Sequence, residues 1–182
     1  MSKLIENIQN VLNFCATNFS RKALKTSSGQ AKITTQHLLT VAKSLKLLIP
    51  STSLEKLDIT ISYGSGFFPK VPWVAIVPVG KRVSNSISVA ICFGSNGEGL
   101  VAGAMFPNAV DLGPFKTKSR SESEEGSSYI NISGINNRTK YNDKFINPRN
   151  FTKEQISEDD LVNHLNESIL IMKQYLNQVN KA

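Results

Sequence analysis

Four short apolar runs follow one another between residues 57 and 106, and they constrain the fold more than any other feature of the chain. Their sequences are LDITISY (57–63), VPWVAIVPV (71–79), ISVAICF (87–93) and LVAGAMF (100–106). In the first run apolar and polar residues alternate from Leu57 to Tyr63, so both are expected to face inward from a half-buried strand. Turn residues bound the other runs, and GSNGEG between the last two is typical of a hairpin turn. We therefore predict a mixed, largely antiparallel sheet.

Amphipathic segments flank these runs on both sides. Residues 3–19 place their apolar side chains on one helical stripe, and a second helix is predicted from Thr34 or Thr35 to about Leu48. A closing helix is predicted over residues 157–178, where acidic residues fill the first turn and favour the helix dipole. The fold class is therefore α+β, with the sheet flanked by N-terminal and C-terminal helices.

The length of 182 residues suits a single domain, which we expect to span residues 1–182. Residues 116–128 are rich in Ser and charge and are predicted to form a mobile surface loop. The polar run 130–150 is expected to be irregular, with Tyr141 and Phe145 as anchors.

The cysteines and the apolar runs indicate where in the cell the protein is located. Cys15 and Cys92 have no closely spaced partners, so we interpret both as small buried hydrophobic residues in a reducing compartment. The N-terminal sequence has no apolar core of a signal peptide, and no run approaches 18 apolar residues. The expected location is the cytoplasm, without a membrane partner.

The charge is unevenly distributed along the chain. The formal net charge is +7, and residues 1–120 hold 14 Lys and Arg against 5 Asp and Glu, a net of +9. Residues 121–182 hold 7 against 9, a net of −2. The excess of positive charge favours a polyanionic partner such as nucleic acid, although an ordinary solvated surface is the alternative.

Residues that could support catalysis are sparse. His37 and His164 lack the partners of a metal motif, and GSNGEG lacks the Lys-Ser/Thr pair of a phosphate-binding loop. Asp58 could begin a nuclease core, but the following strands carry no Glu-x-Lys pair. We therefore predict a binding module without enzymatic activity, and neither a metal nor another cofactor.

One stretch, YGSGFFPKVPWVAI (63–76), combines a glycine loop with the chain's single tryptophan. Trp73, near the start of a strand, can offer a flat face on which a nucleic-acid base stacks. Lys70, Lys81 and Arg82 lie close by in sequence and can contact phosphates. The alternative is a hairpin in which Trp73 and the two phenylalanines simply belong to the core.

The order of these motifs resembles the N-terminal DNA-recognition domain of the McrB family, which belongs to modification-dependent restriction systems active in phage defence. The shared pattern is a Ser-aromatic-Gly-x-Gly loop, a Val-Pro-Trp strand start, and a second strand after a Ser-Asn turn. The matching positions are Ser62, Tyr63, Gly64, Gly66, Phe68, Val71, Pro72, Trp73, Ala75, Ser84, Asn85 and Ile87. The N-terminal amphipathic helix and the closing helix also fall where the family has them.

The resemblance implies a domain that binds double-stranded DNA and flips a modified cytosine into a pocket. The implied pocket residues are Trp73, as one wall, with Ser88 and Cys92 from the next strand. The implied duplex-inserting loop comprises Tyr63, Gly64, Ser65, Gly66, Phe67 and Phe68. The expected phosphate contacts are Lys70, Lys81, Arg82, Lys116, Lys118 and Arg120. The implied partners within the same system are a GTP-dependent motor domain and a nuclease subunit.

The chain departs from the family pattern at three positions. Ser65 stands between the glycines where an aromatic residue is expected, so Phe67 or Phe68 would have to fill the space of a flipped base. Ser88 replaces an aromatic residue and Cys92 a bulkier aliphatic one, which implies a wider and more polar pocket.

Several interpretations therefore remain open. The domain could read a larger or more polar modified base, with Ser88 as a hydrogen-bonding group. It could instead read DNA sequence or shape without flipping, or bind elsewhere and keep Trp73 in the core. A fourth alternative is a protein-interaction adaptor whose basic face meets an acidic partner, and it predicts that Trp73 is fully buried.

Overall fold

The computed structural model describes residues 1–18, 23–107, 116–117, 130–132 and 141–179. Their helices and strands, in chain order, are α1 (Lys3–Asn18), α2 (Gly29–Leu48), β1 (Leu57–Ile61), β2 (Trp73–Pro78), β3 (Ser88–Phe93), β4 (Gly99–Met105), β5 (Arg149–Thr152) and α3 (Glu158–Val179). No helix in these ranges is long and apolar enough to cross a membrane.

The strands form one five-stranded sheet in the order β1-β2-β3-β4-β5, and every neighbouring pair is antiparallel. The predicted α+β class is therefore confirmed. The hairpin predicted between β3 and β4 is also present, and the Gly94 N–H donates to the Gly99 carbonyl at 2.8 Å.

The three helices cover one face of the sheet. Alternate residues of the central strands, such as Val74, Ile76, Val89 and Ile91, enter the main core beneath them. The helices contribute their apolar stripes to the same core, including Leu4, Ile8, Val11 and Leu12 of α1, Leu38, Val41 and Leu45 of α2, and Leu161, Leu165, Ile169 and Met172 of α3. Each stripe recurs every three to four residues, which is why these segments fold as helices against the sheet.

The opposite face of the sheet carries a second, smaller core and no helix among the residues described. Its strand residues include Ala75, Ala90, Cys92, Val101 and Met105. Loop residues Ile130, Ile132 and Phe145 pack over part of this face. The features described in the next subsection lie on this face.

Two boundaries differ from the sequence-based expectation. Helix α2 begins at Gly29 and not at Thr34, because Ser28 caps it: the Ser28 hydroxyl accepts from the Ala31 N–H at 3.2 Å. Strand β1 ends at Ile61, and Tyr63, which was expected to face inward, is 58% exposed.

The early end of β1 has a clear cause in the hydrogen bonds around Ser62. The Ser62 N–H donates to the Trp73 carbonyl, and the Ser62 hydroxyl accepts from the Trp73 N–H, each at 2.9 Å. Since these bonds close the β1–β2 ladder, the chain leaves the sheet at residue 63.

The segments after β4 were only partly anticipated. Residues 149–152 form strand β5, and its first two residues belong to the run 130–150 that was expected to be irregular. The closing helix matches the predicted range 157–178 within one residue at each end, and the Ser157 hydroxyl caps it by accepting from the Asp160 N–H at 3.2 Å. The loop predicted over residues 116–128 lies outside the described residues, apart from residues 116–117.

Candidate functional site

A cavity of about 300 Å³ opens on the face of the sheet opposite α1, α2 and α3. Its lining includes Trp73 of β2, Ala90 and Cys92 of β3, Met105 of β4, and Tyr141 and Lys144 from the segment that precedes β5. This volume lies at the lower end of the range for small-molecule sites, which is about 300–1,000 Å³. We refer to it as the inner cavity.

Small side chains on the central strands leave room for the inner cavity. Ala90 pairs with Gly103 across β3 and β4, and Trp73 pairs with Cys92 across β2 and β3. Residues directly opposite each other in an antiparallel pair project to the same face. The small Ala90 side chain therefore leaves space above β3, and the larger Trp73 and Met105 side chains bound that space. Above Gly103 the Asn147 backbone and the Phe145 ring fill the corresponding position.

Backbone hydrogen bonds to the end of β4 position the two residues contributed by the segment before β5. The Phe106 N–H donates to the Lys144 carbonyl at 2.9 Å, and the Ile146 N–H donates to the Ala104 carbonyl at 2.8 Å. The Lys144 N–H in turn donates to the Tyr141 carbonyl at 3.3 Å. Tyr141 and Lys144 are thus held beside β4 although they follow it by more than 30 residues.

Trp73 and Tyr141 form a linked aromatic pair at the inner cavity. Burial raises the pKa of the Tyr141 hydroxyl to about 12; the nearby Cys92 adds to this, and a hydrogen bond with the Trp73 side chain opposes it. The indole N–H is the only polar group of a tryptophan side chain, so it donates to the tyrosine oxygen. Trp73 is half-buried, whereas the adaptor alternative predicts full burial.

Of the three residues that the resemblance places in the pocket, two line the inner cavity and one does not. Trp73 and Cys92 both line the inner cavity. Ser88 is almost fully buried opposite Met105 and is not among the residues that line it, although strand alternation places it on the same face. Tyr141 and Lys144 were not predicted as site residues, because they lie in a polar segment with no strand or helix periodicity.

A second depression, which we call the outer cleft, adjoins the inner cavity and has a volume of about 640 Å³. It lies over β1 and β2, and its lining includes Asp58, Thr60, Lys81 and Arg82. Trp73, Val83 and Ser84 line both depressions. These three residues therefore form the boundary between the inner cavity and the outer cleft.

The glycine loop of residues 63–68 packs against the chain that leads into α2, and none of its residues lines the inner cavity. The Phe68 N–H donates to the Leu24 carbonyl at 2.7 Å, and the Thr26 N–H donates to the Gly66 carbonyl at 3.1 Å. Gly64 and Gly66 both adopt positive φ, 73° and 78°, which favours glycine.

The aromatic residues of this loop divide into one buried side chain and two exposed ones. Phe68 is buried and packs edge-on against Phe14, with ring centroids 5.1 Å apart. Phe67 is 52% exposed, and Tyr63 and Ser65 are exposed as well. Of the two phenylalanines considered for insertion into a duplex, only Phe67 is available at the surface.

The basic residues singled out in the sequence do not form one cluster. Lys81 and Arg82 are exposed and line the outer cleft. Lys70 is exposed but borders a separate depression of about 30 Å³, next to Phe68 and Cys15. Lys116 is exposed, and Lys118 and Arg120 lie outside the described residues.

Both histidines hold structural positions. A ring nitrogen of His37 lies 2.8 Å from the Asn7 side-chain oxygen, which joins α2 to α1. His164 is buried, with its Nε2 atom 3.0 Å from the Ala102 carbonyl, and joins α3 to β4. Across the described ranges, no group of three His, Cys, Asp or Glu side chains is placed to hold a metal ion.

No model of a known protein family matches the chain, and no curated protein matches it. Its function must therefore be inferred from the geometry and chemistry of the two depressions and the glycine loop.

Proposed function

We propose that this domain binds double-stranded DNA and reads a modified base of the cytosine type, which it flips into the inner cavity beside Trp73. It would serve as the specificity domain of a McrB-like, modification-dependent restriction protein. The observation that carries the proposal is a ligand-sized cavity on the sheet with Trp73 and Tyr141 in its walls. The domain itself would be non-catalytic.

The lining of the inner cavity suits a planar heterocycle. Its walls include two aromatic side chains, and its floor includes the small residue Ala90 with the thiol of Cys92. Stacking on an aromatic side chain contributes about 1–3 kcal/mol per base. Extruding a base costs a few kcal/mol, so stacking on Trp73 would offset much of that cost.

The glycine loop is suited to fill the space that a flipped base leaves in the duplex. Phe67 presents an exposed ring, whereas Ser65 is too small and Phe68 is already packed against Phe14. The loop and the cavity share one anchor, because Ser62 before the loop is hydrogen-bonded to Trp73 after it. We infer that Phe67 takes the inserting role that the resemblance gives to the position of Ser65.

The charge distribution is suited to holding the DNA backbone. Residues 1–120, which contain the loop and most of the cavity, carry a net charge of +9. Lys81 and Arg82 lie in the outer cleft beside the cavity, and Lys70 follows the glycine loop. Binding through such contacts releases counterions, so the affinity should fall steeply as salt rises.

Within a restriction system, the recognition event would be passed to a GTP-dependent motor domain and a nuclease subunit. Neither activity is assigned to the 182 residues of this chain. The domain would thereby contribute to defence against phages whose DNA carries the modified base.

A fluorescence-anisotropy titration tests the proposal. Matched duplexes would carry cytosine, 5-methylcytosine, 5-hydroxymethylcytosine or N6-methyladenine at one position. We expect tighter binding to a cytosine modification than to cytosine itself. The preference should be lost in Trp73→Ala, which removes the stacking wall, and in Ala90→Leu, which fills the cavity from its floor.

The nonspecific component of binding provides the control. Both variants should retain the salt-sensitive affinity of the wild type for unmodified DNA, because neither removes a basic residue. Equal affinity of the wild type for all four duplexes would contradict base reading and favour a module that recognises DNA sequence or shape. No binding to any duplex would contradict the proposal as a whole and favour the adaptor.

A further inference from the structure

The outer cleft gives the site a second compartment, and its chemistry differs from that of the inner cavity. We propose that this compartment receives a glycosyl group attached to the modified base, so that the preferred ligand is a glycosylated 5-hydroxymethylcytosine. This inference rests on the proposed function, because it requires the base itself to occupy the inner cavity.

The sheet places the two compartments side by side on one face. Thr60 pairs with Ala75 and Asp58 with Val77 across β1 and β2, so Asp58 and Thr60 share the face that carries Trp73. The outer cleft therefore lies over the edge strand β1, and the inner cavity lies over β3 and β4. Trp73, on β2, stands between the two depressions. A substituent on a base in the inner cavity has the outer cleft as its neighbouring space.

The lining of the outer cleft mixes hydrogen-bond acceptors and donors. Asp58 supplies a carboxylate, Thr60 and Ser84 supply hydroxyls, and Lys81 and Arg82 supply cationic donors. A sugar hydroxyl both donates and accepts hydrogen bonds, so it can use every member of such a set. Trp73 adds an apolar aromatic surface at the boundary, against which the C–H groups of a sugar ring can pack.

The carboxylate of Asp58 distinguishes a sugar from a DNA phosphate as the occupant. Phosphate oxygens only accept hydrogen bonds and carry negative charge, so an exposed aspartate beside them is repulsive. The same aspartate accepts hydrogen bonds from neutral hydroxyl groups. In a cleft that binds only phosphate, Lys81 and Arg82 would strengthen binding and Asp58 would weaken it.

The test compares two duplexes that differ only in the glucosyl group of one 5-hydroxymethylcytosine. Wild-type protein is titrated by fluorescence anisotropy beside Asp58→Asn, Thr60→Val and the control Asp159→Asn, an exposed aspartate on α3 at the other face. We expect the wild type to bind the glucosylated duplex about tenfold more tightly, as one or two well-placed hydrogen bonds would provide. Asp58→Asn and Thr60→Val should each reduce this ratio about threefold or more, whereas Asp159→Asn should leave it unchanged.

The outcomes separate this inference from the proposed function. A wild type that prefers 5-hydroxymethylcytosine over cytosine but gains nothing from the glucosyl group overturns the second compartment and leaves the base pocket standing. A glucosyl preference that survives both cleft variants places the sugar elsewhere and overturns the inference. If Asp58→Asn strengthens binding to every duplex equally, the cleft holds the DNA backbone, which also overturns it. Equal binding to cytosine and all its modifications overturns the proposed function and this inference together.

Discussion

At the scale of single residues, a hydrogen bond links Trp73 to Tyr141, two aromatic residues that line the inner cavity. It joins a strand residue to a residue 68 positions later in the chain. Burial keeps the tyrosine hydroxyl protonated far above neutral pH, with a pKa of about 12. The aromatic pair therefore presents an uncharged surface to a ligand across the physiological range.

A second residue, His164, makes the stability of the fold depend on pH. Burial lowers its pKa below the usual 6.5, the hydrogen bond to Ala102 opposes this, Arg149 lowers the pKa further and Glu167 raises it. Since the unfolded chain binds the proton more readily, stability is fully present above pH 6.5 and falls as the pH drops below that value.

Denaturant unfolding at pH 7 and pH 5 checks this expectation. The wild type should lose more stability between the two pH values than His164→Gln, which has no proton to gain. Equal losses in the two proteins would show that His164 does not contribute to the pH dependence.

At the scale of elements, the glycine loop gives a matched pair of substitutions. Both glycines have positive φ, but a Cβ atom at Gly64 would collide with the carbonyl oxygen of Phe67, whereas a Cβ at Gly66 would meet open space. An alanine in the left-handed region costs about 1–2 kcal/mol. Gly66→Ala should lower the free energy of unfolding by roughly this amount. Gly64→Ala should lower it more, because the Phe67 backbone must also move.

The loop variants are best compared by urea unfolding and by DNA affinity in parallel. We expect Gly64→Ala to weaken binding to a modified duplex more than Gly66→Ala, because it displaces the Phe67 backbone. Similar affinities for the two variants would argue against an inserting role for Phe67.

The elements themselves were predicted from the sequence where local patterns are strong. The four apolar runs predicted β1 to β4, and the periodicity of residues 3–19 and 157–178 predicted α1 and α3. The start of α2 was missed because Ser28 was not recognised as the cap and Gly29 is a poor helix former. Strand β5 was missed because it has only four residues and its pairing with β4 is not visible in its composition.

The site was predictable only in part for a similar reason. The resemblance, and not a local pattern, placed Cys92 beside Trp73, and the antiparallel pairing of β2 with β3 puts the two residues opposite each other. Tyr141 and Lys144 reach the cavity through backbone bonds to the end of β4, a long-range contact that leaves no periodic signal. The burial of Phe68 likewise depends on a long-range contact, its packing against Phe14 in the last turns of α1.

At the scale of the whole molecule, the two faces of the sheet differ in what packs against them. The helical face carries the main core and stabilises the fold, while the opposite face is free to combine small strand residues with loop residues around a cavity. Its inner cavity and outer cleft share Trp73, and they adjoin the basic residues of the β2–β3 connection. The proposed recognition of a modified base would use this one face and leave the packing beneath the helices unchanged.

The most direct test of the central claim uses Trp73, the single tryptophan of the chain, as its own reporter. Its fluorescence would be followed as modified or unmodified duplex is added. The two duplexes would be compared at equal fractions of bound protein, which are measured by anisotropy. The account predicts a saturable change with the modified duplex, much less with the unmodified one, and none in Ala90→Leu. Equal changes with both duplexes in the wild type, or a change that persists in Ala90→Leu, would contradict the entry of a flipped base into the inner cavity.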